Sequence, residues 1–270
     1  LLAGAWALLS AGETSIASTV SLLRAFHGEQ RRIVVEAVVD LLGRLDEITP
    51  EADRPAFEKL VRDLLHPIVA RLGWSPDPRA KKECARCSTA STDDDNLLRT
   101  AALEALATLG NDRVVQRAAR ERADLFLRGD KDVSPENGQL ALRIAAHHGD
   151  RALFDAIEKR VFASTASTDR TAAVTALASF DDPALLRRAL ELATTEKLRL
   201  SDLRYLLPTA FRPRTEKLAF AWLEGRWDAV EKRVPRAALG RVVGIASRTC
   251  SSEGADRRRA FFAPKTPQLE

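Results

Sequence analysis

Apolar positions recur with a helical period almost from end to end of this chain. In residues 29 to 46, Ile33, Ala37, Leu41 and Leu45 stand at i, i+4 spacing, with Val34, Val38 and Leu42 beside them. Arg31, Arg32 and Arg44 fall elsewhere on the cylinder, so the segment reads as an amphipathic helix with a wide apolar stripe. Thr49-Pro50-Glu51 reads as a stop and a restart, with Thr49 as cap and Pro50 in the first helical position. The next helix carries Phe57, Leu60, Val61, Leu64, Leu65, Ile68 and Leu72 and ends at Gly73, and Pro67 is expected to kink it or to begin a new segment.

The pattern breaks over residues 73 to 95, "GWSPDPRAKKECARCSTASTDDD", a surface loop or a junction between two helical sub-arrays within a single domain spanning residues 1–270. Beyond it, one arrangement is written three times: "LATLGNDRVVQRAA", "IAAHHGDRALFDAI" and "LASFDDPALLRRAL". Each reads as helix, tight turn, helix. Asp112, Asp150 and Asp182 stand where a carboxylate accepts the unpaired N–H groups of a first turn, and Val115, Leu153 and Leu185 follow three residues later. The aspartates are 38 and 32 residues apart, intervals that match a two-helix repeat. A helix pair cannot bury its apolar face alone, whereas stacked pairs share a continuous core. The expected fold is all-α: antiparallel helix pairs stacked into a HEAT/armadillo-like right-handed superhelix with a concave side.

Composition supports the helical reading. Of 270 residues 45% are hydrophobic and 30% charged, with one Tyr and no long β-branched runs. Lys+Arg 42 against Asp+Glu 38 gives a net charge of +4, spread along the chain, so a nucleic-acid partner is not expected. No apolar run reaches the roughly 20 residues needed to span a bilayer, so no membrane partner is expected either. The opening "LLAGAWALLSAG" lacks a basic leader and reads as a core helix. The chain starts at Leu1 and holds no Met, which reads as an excised fragment.

Candidate chemistry is sparse. Cys84 and Cys87 form one Cys-x-x-Cys, half of a structural zinc site, and Cys250 stands alone. Incidental thiols in a reducing, cytoplasmic setting are the favoured reading. None of His27, His66, His147 and His148 lies in a His-Glu-x-x-His, and adjacent His147 and His148 point about 100° apart on a helix. They suit the negative end of the helix before Gly149. Asp93-Asp94-Asp95 reads as an acidic helix start. Phosphate-cradling glycine motifs and Gly-x-Ser-x-Gly are absent from the sequence. The densest run of potential ligand contacts is "RLSDLRYLLPTAFRPRTEKLAFAWLEGRWDAV", where arginine forks beside aromatic rings suit carboxylates and peptides.

The order of these features resembles the C-terminal helical domain of zinc aminopeptidases of the aminopeptidase N and puromycin-sensitive kind. The likeness rests on "LLAGAWALLSAG", "DNLLRTAALEALATLGND", "HHGDRALFDAIEKRVFASTASTDRTAAVTALASFDDPALLRRALELA", "LSDLRYLL", "AWLEGRWDAV" and "RAFFAP", in that order. The family's catalytic signatures, Gly-x-x-Glu-Asn and His-Glu-x-x-His with a distant Glu, belong to a preceding domain and do not occur here. The resemblance therefore implies a non-catalytic domain that binds no cofactor itself. Its zinc lies in the catalytic domain of the same polypeptide. The helical wall encloses the substrate chamber and gates and selects peptide substrates for removal of N-terminal residues. Arg204, Arg212 and Arg214 are the candidate cavity-facing, substrate-binding residues, with no catalytic or metal residue expected. The alternative is a free-standing helical-repeat scaffold that binds a protein in its groove.

Overall fold

Aspartate carboxylates open the three echoed helices. Asp112 Oδ1 accepts from the N–H groups of Val114 at 2.9 Å and Val115 at 3.0 Å, and Asp150 Oδ1 from Leu153 at 2.8 Å. Asp182 Oδ1 accepts from Ala184 and Leu185 at 2.9 Å each. Each bond satisfies a donor that a first turn cannot pair internally. Val115 and Leu153 follow as buried anchors, while at the third turn Leu186 is buried and Leu185 only half-buried. Ser15, Ser134 and Ser251 cap three further helices through their hydroxyl oxygens.

The computed structural model describes residues 1–74, 93–249 and 251–265, and among them all regular structure is helical. The expected all-α fold of packed helix pairs is thus the observed one. The helices pack as two compact units, Leu1–Ala118 and Ala119–Glu270. The first contains α1 (Leu2–Ser10), α2 (Ile16–Arg24), α3 (Arg32–Ile48), α4 (Arg54–Leu72), α5 (Asp93–Thr108) and the start of α6 (Arg113–Leu127). The second takes the rest of α6 and adds α7 (Pro135–His147), α8 (Arg151–Ala163), α9 (Ser167–Ala178), α10 (Pro183–Leu192), α11 (Leu203–Ala210), α12 (Glu216–Arg233), α13 (Arg236–Ala246) and α14 (Ser252–Phe262). Of the stretch where the apolar pattern breaks, residues 75 to 92 lie outside the described residues, and so do Cys84, Cys87 and Cys250.

In the first unit α3 and α4 both pack against α5, and α1 covers α3. In the second unit α9 is central, with α7, α8, α10 and α11 around it. Its Ala172, Ala173, Val174, Ala176, Leu177 and Ala178 are all buried, with only Thr171 and Thr175 half-exposed along its middle, and small side chains let its neighbours approach closely. Close approach also fixes Gly138 in α7, where a Cβ would stand 2.2 Å from the Phe126 ring.

Two local expectations are corrected, and a third, that Pro67 kinks the helix or begins a new segment, is corrected as to the new segment. Thr49 closes α3, its Oγ1 donating to the Leu45 carbonyl at 2.6 Å; a 3₁₀ turn at Glu51–Asp53 intervenes, and Pro55, not Pro50, sits in the first turn of α4. Pro67 does not end α4, which runs unbroken to Leu72. A proline at 67 leaves the Asp63 carbonyl without its helical donor, and His27 Nδ1 takes that place at 3.0 Å. Ile33 is 72% exposed, and Val35, Val38, Leu41, Leu42 and Leu45 are the buried face of α3. With apolar residues on nearly every side of the first two turns, period alone does not choose the face.

The carboxyl ends of the helices are closed by arginines from elsewhere in the same unit. Arg99 Nε donates to the Leu72 carbonyl at the end of α4, and Arg160 Nη1 to Phe126 in the last turn of α6. Arg170 serves Val161 in α8, and Arg212 serves Ala178 at the end of α9. Arg233 serves Leu192 at the end of α10, and Arg258 serves Ala246 at the end of α13. Last-turn carbonyls have no intrahelical donor and carry the negative pole of the helix dipole, so a planar cation with several donors is suited to them.

Candidate functional site

A groove of about 270 Å³ opens in the second unit between the 3₁₀ turn Leu200–Asp202, α11 and α13. Leu203, Leu207, Val234, Val242 and Ile245 give it an apolar lining. Arg204 and Arg241 stand on its rim, both exposed. Neither has a carboxylate partner among the described residues; the Arg204 guanidinium lies 4.7 Å from the centroid of the Tyr205 ring.

Buried polar chemistry holds both walls in place. Asp202 Oδ2 accepts from Arg170 Nη2 at 2.7 Å, from Arg170 Nε at 3.1 Å and from the backbone N–H of Arg199 at 2.9 Å. Arg170 and Asp202 are both buried, so their pair fixes the turn that starts α11. On the other wall, Arg233 at the end of α12 donates to the carbonyls of Leu192, Ala193 and Leu198. Pro235 then starts α13 with its fixed φ of −54°. The groove is too small for a drug-sized ligand and suits one or two side chains of an extended peptide. The rim arginines offer free N–H forks to a carboxylate beside it.

The three arginines singled out from the sequence occupy different environments. Arg204 is on the groove rim. Arg212 is turned inward: Nη1 donates to the carbonyls of Ala178 at 2.8 Å and Thr209 at 3.1 Å, and Nη2 to those of Ser179 at 2.9 Å and Phe180 at 2.8 Å and to Asp181 Oδ1 at 2.5 Å. His147 Nδ1 lies 3.6 Å from the same carboxylate oxygen. Burial pushes the Asp181 carboxyl up, but His147 and Arg212 outweigh it and hold it down at about 2. Arg214 is exposed in the turn before α12 and does not line the groove. Arg241 was not among the sequence candidates. Its signal was the stripe Ala238, Val242, Ile245 on α13, continuing Val234 before it, which places Arg241 at the stripe's edge.

No zinc site is built by these residues. Among the described residues no group of three or more His, Cys, Asp or Glu comes together to hold a metal ion. His66 and His147 instead face Asp112 and Asp181, and His27 faces a backbone carbonyl. Nor is any helix among the described residues long and apolar enough to cross a membrane.

Residues 1–270 match the family model described as the ERAP1-like C-terminal domain. The chain is 28% identical over 277 residues to aminopeptidase M1-B of Oryza sativa subsp. japonica, covering 98% of this chain and 30% of that protein. It is 23% identical to aminopeptidase M1 of Arabidopsis thaliana, covering 98% of this chain and 30% of that protein. It is 22% identical to aminopeptidase 2, mitochondrial, of Saccharomyces cerevisiae, covering 98% of this chain and 28% of that protein. The chain thus spans about 30% of the length of the curated relatives it matches. Its match to the family model runs over residues 1–270, and the chain belongs to the ERAP1-like C-terminal domain family, the C-terminal domain of M1 aminopeptidases.

Proposed function

We propose that this chain is the non-catalytic C-terminal part of a zinc-dependent aminopeptidase, where it encloses the substrate chamber and gates and selects peptides for removal of their N-terminal residues. The observation that carries this reading is a match over all 270 residues to that domain in proteins more than three times as long. Its partners are the catalytic domain of the same polypeptide, which holds the zinc, and peptide substrates. A cytoplasmic location accords with a chain of only three cysteines.

Within that role the groove on α11 and α13 receives a distal side chain of the peptide, and Arg204 and Arg241 receive a carboxylate next to it. Arg214 contributes positive charge on the same segment. Remote contacts of this kind raise the effective concentration of the scissile bond at the metal without touching the reacting atoms. The test uses the whole parent enzyme carrying R204E and R241E together. KM for peptides of ten or more residues should rise about tenfold, since reversing two charges beside a carboxylate costs at least 1.4 kcal/mol. Hydrolysis of single aminoacyl anilides, which do not reach the groove, should keep its kcat/KM. Equal loss on both substrates, or no change on either, would overturn the assignment of the groove. The isolated 270-residue chain should hydrolyse neither substrate and carry no stoichiometric zinc.

A further inference from the structure

We propose that an open cleft of about 580 Å³ in the first unit, between the end of α2 and α4, is a binding site for a small organic carboxylate with an apolar body, and that binding tightens as pH falls. This site is independent of the peptide groove and of the aminopeptidase reading. Four basic side chains line it: Arg24 at the end of α2, His27 in the turn that follows, and Arg62 and His66 on α4. Leu60, Leu64 and Pro67 supply an apolar wall.

The charge balance favours an anion. Arg24 is exposed and has no carboxylate partner among the described residues. Arg62 is steered by the Gly110 carbonyl and lies 3.7 Å from Glu58, which in turn accepts from Asn111. The one carboxylate lining the cleft, Asp63, is bonded by Lys59 Nζ at 2.6 Å, and that bond holds its carboxyl below the usual range. Asp112, in the turn before α6, lies behind His66. Burial pushes its carboxyl up, but the Val115 N–H and the His66 ring outweigh that effect and keep it ionised. A cation is disfavoured, because no three metal-ligating side chains converge among the described residues.

The two imidazoles are set up alike. His27 Nδ1 faces the Asp63 carbonyl at 3.0 Å, the one that Pro67 leaves without a donor. A carbonyl only accepts, so Nδ1 carries the proton. His66 Nε2 faces Asp112 Oδ2 at 2.6 Å, and an ionised carboxylate likewise only accepts, so Nε2 carries the proton. In each neutral ring the remaining nitrogen, Nε2 of His27 and Nδ1 of His66, is a bare lone pair with no partner among the described residues. Such a lone pair repels a carboxylate. Protonation turns it into a charged donor without disturbing the bond on the other side. Arg24 and Arg62 therefore supply a constant attraction, and the two histidines a pH-dependent one. Inorganic phosphate fills little of the volume and leaves the apolar wall unused.

The test is calorimetric titration of the 270-residue chain with 3-phenylpropionate, 3-phenylpropionamide and inorganic phosphate at pH 8.0 and pH 5.5. The acid should bind about tenfold more tightly at pH 5.5 than at pH 8.0. The amide should not bind, and phosphate should bind at least tenfold more weakly than the acid. Arg24→Gln should weaken the acid about tenfold at both pH values. Arg248→Gln, at an exposed position in the second unit, should change nothing. The double variant H27Q/H66Q should retain the affinity seen at pH 8.0 and lose the gain at pH 5.5, with thermal melts reading whether each variant folds. Equal binding of the amide, phosphate binding as tight as the acid, or an Arg24→Gln variant that binds as the parent does would each overturn the proposal. A pH gain that survives in a folded H27Q/H66Q would overturn its histidine part.

Discussion

Arg212 and Arg204 lie eight residues apart in one run of sequence, and the fold uses them in opposite ways. The corner around Arg212 joins the end of α9 to the turn before α12. There the guanidinium reaches the carbonyls of residues 178, 179, 180 and 209 together with the Asp181 carboxylate. The rim around Arg204 offers a Tyr205 ring and open solvent. What separates them is the presence of a helix carboxyl end within reach. Among the described residues, six helix ends capture an arginine in that way. An arginine that has escaped capture beside an apolar groove is free to meet a ligand.

The comparison makes Arg212→Ala the most damaging change at either place. It would leave a half-buried carboxylate with His147 as its remaining partner and the carbonyls of residues 178, 179, 180 and 209 short of a donor, at a cost of about 2–3 kcal/mol. The melting temperature should fall by roughly 5–10 °C for a chain of this size. Arg212→Lys should recover only part of that, because an ammonium on a flexible stem does not span the same set of acceptors. A thermal melt of either variant that overlays the parent would break the contrast at its stronger side.

Acid titration sharpens the same corner. The Asp181 carboxyl titrates near 3.8 when exposed in the unfolded chain and is held at about 2 in the folded one. A folded value below the unfolded one means the contribution is whole above pH 4 and is lost as pH falls towards 2. The lowering corresponds to about 2 kcal/mol. Urea unfolding of the parent and of Asp181→Asn between pH 6 and pH 2 should show the parent losing about that much more stability over the window. Parallel pH profiles would mean that Arg212 acts on the carbonyls alone and that the Asp181 carboxylate adds nothing to stability.

How much of this was readable beforehand follows from which interactions are local. The caps at Asp112, Asp150 and Asp182 bind donors two or three residues away, so spacing along the chain reveals them. The core face of α4 was legible because Phe57 through Ile68 keep one period against charged neighbours. The fate of each arginine was not legible. Arg212 acts on Ala178, 34 residues back, and Arg233 on Leu192, 41 residues back, and neither separation appears in a local pattern. The continuation of α4 through Pro67 was hidden for the same reason, since the carbonyl that Pro67 orphans is satisfied by His27, 36 residues before Asp63. Arg241 was overlooked because an exposed arginine on a helix looks the same from sequence whether or not an apolar groove lies beside it.

The smallest expected effect is the one that carries the functional half of the comparison. Arg204→Ala removes a solvated guanidinium and one stack on the Tyr205 ring, worth about 0.5–1 kcal/mol at an exposed site. Arg241→Ala removes no ion pair among the described residues and should cost less still. Neither carbonyls nor carboxylates are left buried and unpaired by these changes, which is the mechanism that makes Arg212→Ala expensive. The melting temperatures of both rim variants should therefore stay within roughly 2–3 °C of the parent. If Arg204→Ala instead unfolds the chain as readily as Arg212→Ala does, the rim arginine is holding the fold. The groove then has no charge to spare for a ligand. If both variants melt as the parent does, the rim charge is not spent on the fold and stays available to the peptide carboxylate proposed for it.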